Sequence, residues 1–334
     1  MVDYTNVLHI GGAIIIEIAF GFISCKFGFF KPAAINSLNR FALKCCFLPM
    51  IARQIAVRDL KTLSFMPLGV LVLTVLTCSL ILGLVCYLSK CFKDRFYMFL
   101  STFLPINHLN YLIIGLPMVQ SIWGPEESII TAVSNMCNDF SAIPLYFAIT
   151  RIYQVHRNNI LHKEANDGQI EKVDWHLPLN ILIRVFTNNF MIGNILGFVY
   201  AATGWKMCPY LWNLMKYLAD SVLALCMFAV GGFLCEHSII ACNFFHLVVT
   251  LIVRHVIFPI IAAFFCFLFK INHKLARQIT IMATTPSSSA SFLLSSVNQT
   301  GPGVASSMIL WSTILYIPFI ILWLYVFDAL HIFE

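Results

Sequence analysis

Apolar residues run along this chain in long stretches that are separated by short polar connections. A helix of about 20 such residues crosses the ~30 Å hydrocarbon core of a bilayer. The runs are continuous rather than alternating, which disfavours a transmembrane β-barrel. The pattern therefore predicts an all-α polytopic membrane protein with about ten transmembrane helices. We place these helices at 6–25, 33–53, 65–89, 97–122, 129–150, 179–203, 210–234, 244–269, 275–297 and 304–330.

The composition agrees with lipid as the main solvent. Of the 334 residues, 60% are hydrophobic and 11% are charged, whereas about a quarter of a soluble domain is charged. The net charge of +6 forms no basic patch interleaved with exposed aromatics, so we expect no nucleic-acid partner. The twelve cysteines include no CxxC and no His/Cys pair at zinc spacing, so we predict no metal and no cofactor.

Basic residues indicate the orientation in the membrane. Odd-numbered connections between the predicted helices carry nine Lys and Arg residues and even-numbered ones carry seven. The positive-inside rule then places both termini on the extracellular or lumenal side. It places the polar segment 151–178 in the cytoplasm, as a short loop between a unit at 1–150 and a unit at 179–334. Either the plasma membrane or an endomembrane fits this multi-pass pattern.

The two halves of the chain resemble each other. "GFISCKFG" at 21–28 and "GFVYAATG" at 197–204 are displaced by 176 residues, and the Gly-Pro of "WGPEES" and that of "TGPGVA" by 177. An odd number of helices in each copy turns the second copy upside down relative to the first. Inverted repeats of this kind are typical of secondary transporters.

Helix-breaking residues interrupt the predicted helices four and nine at corresponding positions. "NHLNYLIIGLP" contains Gly115 and Pro117, and "ATTPSSSASF" contains Pro286. Proline removes a helical hydrogen bond, and in lipid such a break is tolerated where protein or a water-filled cavity satisfies the backbone. We therefore expect two broken helices that cross near the midplane, where helix N-termini attract an anion. The candidate substrate-binding residues are Asn107, Asn110, Gly115, Pro117, Asn138, Pro286, Ser287, Ser288 and Ser289.

Several segments, in their order along the chain, resemble the auxin efflux carrier family, which includes the plant PIN carriers. They are "FFKPAAINSLNRFALKCCFLP", "NYLIIGLPMVQSIWG", "NNFMIGNILGFVYAATG", "CPYLWNLMKYLADSVLALCMFAVGGFL", "FPIIAAFF" and "MATTPSSSASFLLSSV". The resemblance covers nearly the whole chain. It departs from the family pattern at Asn188-Asn189, where Asn-Pro is usual, at Ser291, where PIN-like carriers have a second proline, and in the shortness of the central loop.

The resemblance implies ten helices in two inverted five-helix repeats. It implies a scaffold of helices one, two, six and seven, and a mobile domain of helices three to five and eight to ten. Substrate binds beside the crossing and moves with an elevator-like shift. Family substrates are mostly organic acids, so the implied partner is a small organic anion, with membrane lipid around the protein and a homodimer as the assembly.

Ionisable residues inside membrane helices are costly and are functional candidates by default. Glu17 and Asp139 are candidates for a coupling proton or for a structural role. Lys44 and Asp220 are related by the 176-residue offset and are predicted to pair inside the scaffold. Arg254 is predicted either to meet a substrate carboxylate or to pair with an acid.

Three other functions compete with a carrier. A transporter-derived sensor would bind a solute without moving it, and the fold alone does not separate the two. A bile-acid-type sodium symporter shares the crossed ten-helix plan, but it would usually show more acids at the crossing. An intramembrane protease would need a Gly-x-Gly-Asp or Gly-x-Ser context, whereas Asp220 stands in "YLADSV" and the serines in "PSSSAS". We therefore predict that the protein is not an enzyme.

Overall fold

The computed structural model describes residues 4–57, 64–89, 94–164, 176–187, 189–204, 207–236 and 238–333. Within these ranges the chain is helical almost throughout, and a single bridge pair is its only β-type contact. The α-helices are α1 (Tyr4–Lys26), α2 (Pro32–Phe41), α3 (Phe47–Ala56), α4 (Met66–Leu88), α5 (Arg95–Asn107), α6 (Gly115–Trp123), α7 (Ile129–Cys137), α8 (Ile143–Glu164), α9 (Leu177–Phe186), α10 (Asn189–Thr203), α11 (Pro209–Glu236), α12 (Phe244–Ile252), α13 (Phe258–Leu268), α14 (His273–Ala283), α15 (Ser289–Asn298) and α16 (Pro302–Ala329).

Five helical stretches are long and apolar enough to cross a membrane. They are Val7–Lys26, Met66–Leu88, Pro209–Glu236, Phe244–Leu268 and Pro302–Ala329. They coincide with the predicted helices one, three, seven, eight and ten. The prediction of an all-α protein with apolar membrane-spanning helices is confirmed for these five.

The other predicted helices are present as pairs of shorter helices. Single π-helical turns join α2 to α3 at Ala42–Cys46 and α7 to α8 at Asn138–Ala142, and a third, Val253–Ile257, lies between α12 and α13. π-turns insert a residue into a helix and occur often at functional sites. The chain leaves the helical conformation between α5 and α6 and between α14 and α15. Asn188, between α9 and α10, lies outside the described residues.

The predicted central loop is partly helical. Helix α8 continues to Glu164, so residues 151–164 extend the fifth helix instead of forming an irregular connection. Helix α9 begins at Leu177. The intervening residues 165–175 lie outside the described part of the chain.

Helices α1, α3, α10 and α11 pack closely against one another. Helix α1 packs along α11, and α3 packs along α10. A Cβ at Gly231 would lie 2.0 Å from the carbonyl oxygen of Ile18, and one at Gly21 would lie 2.1 Å from that of Phe228. Only glycine therefore permits the two backbones of α1 and α11 to approach this closely.

The outer surface is strongly apolar. Large side chains such as Leu80 (75% exposed), Phe267 (78% exposed) and Ile16 (71% exposed) face outward. On a soluble protein such a surface would cause aggregation. Here it provides the lipid-facing side of an integral membrane protein.

Candidate functional site

The two interrupted helices cross backbone to backbone. The Asn110 N–H donates to the Pro286 carbonyl (2.9 Å), and the Ser288 N–H donates to the His108 carbonyl (3.0 Å). These bonds flank an antiparallel bridge between Leu109 and Ser287. The crossing thus satisfies backbone groups that the helix breaks would otherwise leave unpaired in lipid.

Side chains of neighbouring helices satisfy the central peptides of the crossing. The Leu109 N–H donates to Asn138 Oδ1 (3.1 Å), and Asn138 Nδ2 donates to the Leu109 carbonyl (2.8 Å). On the other strand, the Ser287 N–H donates to Ser312 Oγ (3.0 Å), and Ser287 Oγ donates to the Pro105 carbonyl. Asn138 and Ser287 therefore use their polar atoms to hold the backbone, which makes them positioning residues.

The two prolines differ in their position relative to the breaks. Pro286 lies in the non-helical stretch between α14 and α15. Pro117 lies in the first turn of α6, where a missing N–H costs no helical hydrogen bond. Gly115 begins that helix, and a Cβ there would lie 2.8 Å from Met282 Cε, so the residue allows α14 to approach.

A cavity of about 70 Å³ lies beside the crossing. Its polar wall comes from the breaks and from α7. An aromatic wall comes from α3 and α10, where the rings of Phe47 and Phe190 meet edge to face at 5.1 Å. The lining residues are Phe47, His108, Leu109, Asn110, Leu112, Ile113, Asn135, Asn138, Asp139, Ile143, Phe190, Ser288, Ser289 and Ala290.

Two amide groups offer donors to this cavity. Asn110 is 6% exposed and its Oδ1 accepts the Ile113 N–H (3.2 Å). Asn135 is 8% exposed and its Oδ1 accepts from Asn138 Nδ2 (3.3 Å). Within the described part of the chain, no acceptor faces the Nδ2 group of either residue. Both amides are therefore available to bind a ligand oxygen.

The two helix N-termini at the crossing differ. At the start of α6 the chain satisfies its own donors, because Asn110 accepts the N–H of Ile113 on its side chain and that of Gly115 on its carbonyl. At the start of α15, Ser288 is the N-cap and its Oγ accepts the Ala290 N–H (3.3 Å). The Ser289 N–H has no acceptor among the described residues and lies at the cavity. Only the α15 N-terminus therefore presents an open anion-binding end.

A fully buried arginine lies at the C-terminus of α14, the half-helix that precedes the second break. Arg254 is 0% exposed, and its two terminal nitrogens donate to the carbonyls of Ala283 (2.8 Å) and Thr285, where α14 ends. Its guanidinium also lies over the Phe258 ring at 4.8 Å. A cation at a helix C-terminus offsets the negative end of the helix dipole. Among the described residues Arg254 forms no ion pair with an acid and does not line the cavity.

The remaining predicted residues are distributed as follows. Asn107 is fully buried, donates to the Phe103 carbonyl (3.0 Å) and is not among the lining residues of the cavity. Asp139 is 2% exposed and lines the cavity from the π-turn after α7. Glu17 lies on α1, away from the crossing. Lys44 and Asp220 are both exposed, and no ion pair joins them in the described structure.

A second cavity, of about 370 Å³, is lined by the C-terminal part of α3 and by Leu116 and Gln120 of α6. Both cavities are lined by α3, the first through Phe47 and this one through Met50, Arg53 and Gln54. Arg53, Asp220 and Glu126 contribute charges to it, and Arg53 lies over the Trp212 ring at 5.2 Å.

The sequence interpretation missed several residues of the candidate site. Asn135 lies three positions before Asn138, so one turn of α7 presents both amides, and that spacing was a usable signal. The role of Ser312, and the aromatic wall of Phe47 and Phe190, depend on contacts between distant helices. No local pattern marks those contacts.

Crossed, interrupted helices in an apolar all-helical protein define an integral membrane protein of the transporter class. The family model described as membrane transport protein matches residues 12–324, so the chain belongs to this family, that of the auxin efflux and PIN-like carriers. The match confirms the resemblance seen in the sequence. It is a family of transporters and not of enzymes. No curated protein matches the chain significantly.

Proposed function

We propose that the protein is a secondary carrier for small organic anions, whose carboxylate binds at the N-terminus of α15. The single observation that supports this most is the set of donors around one cavity. The Ser289 N–H and the Nδ2 groups of Asn110 and Asn135 provide neutral hydrogen bonds at the positive end of a helix dipole.

The charges around the crossing favour an anion. Two helix N-termini and two helix C-termini meet there, and their partial charges of about half a unit each roughly cancel. Arg254 adds a full positive charge at the C-terminus of α14. The crossing as a whole therefore carries an excess of positive charge when Asp139 is protonated. Asp139 is accordingly our candidate for proton coupling, because two carboxylates in one small cavity repel each other.

Symmetric contacts support two inverted five-helix repeats, at 1–150 and 179–334. When each predicted helix is exchanged with the one five places away, most of the packing pairs are preserved. For example, the contact between α1 and α11 corresponds to the contact between α10 and α3. The contact between α5 and α8 corresponds to the contact between α15 and α16. The bridge of Leu109 and Ser287 joins residues 178 positions apart, close to the repeat offsets of 176 and 177 in the sequence.

The location of the cavity supports an elevator-type movement. A volume of 70 Å³ holds about two waters, so most organic acids need the walls to separate. One wall contains Phe47 of α3 and Phe190 of α10, which belong to the proposed scaffold of α1–α3 and α9–α11. The other comes from the crossing, in the proposed mobile domain of α4–α8 and α12–α16. Sliding the second against the first would enlarge the cavity and change the side to which it opens.

The proposed function is tested by charge movement in proteoliposomes on a solid-supported membrane. The purified full chain is challenged with aromatic and aliphatic carboxylates at two pH values, with and without sodium. A saturable current for one acid supports the carrier, and protein-free liposomes are the control. A strictly sodium-dependent current would favour a bile-acid-type symporter. No flux of an acid that binds and stabilises the folded protein would favour a sensor and overturn the carrier.

A further inference from the structure

An apolar groove lies on a different face of the molecule from the crossing. It has a volume of about 330 Å³ and is formed by α1, α11 and α16. Ile15, Ala19 and Phe22 of α1 line it, opposite Leu234 of α11 and Ile314 of α16. Thr313 is the only lining residue with a polar side chain other than the indole of Trp311. Such a groove excludes polar solutes and accommodates a hydrocarbon chain.

The groove follows one leaflet of the bilayer. From Ile15 to Lys26, α1 rises about 16 Å at 1.5 Å per residue, which is about half of the ~30 Å hydrocarbon core. At this end α1 and α11 finish, and α16 begins. Trp311 donates its indole N–H to the Ile239 carbonyl (3.2 Å), as tryptophans at the membrane–water boundary commonly do with polar groups. The groove therefore extends from the middle of the membrane to its surface.

A lysine lies at the surface end of the groove. Lys26 Nζ lies 5.7 Å from the centroid of the Phe22 ring, and Phe22 lines the groove. Lys26 is exposed and forms no ion pair with any described acid. Lys31, which follows α1, is also exposed, and Glu236 ends α11. A long apolar cleft with a cation at its mouth matches a lipid that has an anionic headgroup.

We propose that this groove binds one acyl chain of an anionic glycerophospholipid, with the headgroup phosphate on Lys26. The site does not depend on the proposed transport of organic anions. It lies between α16 on one side and α1 and α11 on the other, so a bound lipid would contact both proposed domains. Neutral phospholipids share the acyl chains but not the headgroup charge, and they provide the comparison for the test.

Native mass spectrometry of the detergent-purified full chain tests the site. Dioleoyl phosphatidylglycerol and dioleoyl phosphatidylcholine are titrated in parallel, and bound lipids are counted. We expect one retained phosphatidylglycerol, preferred about fivefold over phosphatidylcholine, since one lysine near an anionic headgroup contributes about that factor. Lys26→Gln should remove the preference while one lipid of either kind still binds.

Filling the groove tests the acyl-chain part. Ala19→Trp and Ile314→Trp should each abolish the retained lipid, and a thermal melt shows whether each variant is folded. Leu80→Trp places the same side chain on lipid-facing α4, outside the groove, and should bind like the wild type. Equal retention of both lipids by the wild type, or unchanged retention in a folded groove-filling variant, would overturn the proposal.

Discussion

Replacing Asn138 by leucine removes the side chain that holds the middle of the crossing. Leucine has a similar volume but neither a donor nor an acceptor. In the wild type, Asn138 binds both the N–H (3.1 Å) and the carbonyl (2.8 Å) of Leu109, and both residues are at most 3% exposed. The variant therefore leaves two buried backbone groups without partners.

The expected loss follows from those two groups. A buried donor or acceptor left unpaired costs about 1–3 kcal/mol, so Asn138→Leu should lower the free energy of unfolding by about 2–6 kcal/mol. At roughly 2 °C per kcal/mol for a protein of this size, the Tm falls by about 4–12 °C.

The assay is thermal unfolding followed by intrinsic fluorescence in detergent. Asn135→Ala is the matched control, because it removes only the weaker contact to Asn138 (3.3 Å) and leaves both bonds to Leu109 in place. Its Tm should stay within about 2 °C of the wild type, on the basis of one partly replaceable hydrogen bond. An Asn138→Leu variant that melts with the wild type would refute the view that this side chain holds the crossing.

Three further predictions concern the supports of the site. Arg254→Met should lower the Tm more than Arg254→Lys, because lysine retains a cation at the end of α14. Each charge-assisted hydrogen bond of Arg254 contributes about 1.5–3 kcal/mol. A Met variant as stable as the wild type would mean that the cost of burying the charge cancels the gain from its hydrogen bonds. Gly231→Leu should prevent α1 from packing on α11 and reduce the yield of folded protein. Gly12→Ala, whose added methyl group meets no atom within 4 Å, should fold normally. Size-exclusion chromatography measures the folded yield of both variants. Lys274→Met breaks the exposed 2.6 Å ion pair with Glu127. It should change the Tm by less than Arg254→Met does, since exposed ion pairs contribute about 0–1 kcal/mol.

The sequence predicts the helical architecture well because lipid imposes it. Every membrane-embedded peptide group needs a hydrogen bond, so long apolar runs are read as helices with little ambiguity. The five long spans and both breaks could be located this way. The helical extension of α8 through residues 151–164 was missed, because polar residues there continue the helix beyond the apolar run.

The candidate site was only partly accessible from the sequence. Asn110, Ser288 and Ser289 line the cavity as their positions beside the breaks suggested. Asn138 and Ser287 stay predicted substrate ligands, and their polar atoms also bind the backbone through helix packing that no local pattern encodes. The difference between the α6 and α15 N-termini depends on the Asn110 side chain and on the Asn110 carbonyl, which accepts the Gly115 N–H.

A substitution at Asn110 tests the central claim most directly. Asn110→Asp keeps the acceptor for the Ile113 N–H but replaces the cavity-facing donor by a carboxylate oxygen. The control is Asn243→Asp, which adds the same charge at the N-cap of α12, a position where aspartate caps equally well. In the proteoliposome assay, the acid that gives a saturable current with the wild type should lose at least tenfold in apparent affinity with Asn110→Asp, as expected for the loss of one charge-assisted bond, and should be unaffected by the control. Equal affinity in both variants would contradict a carboxylate site at this crossing.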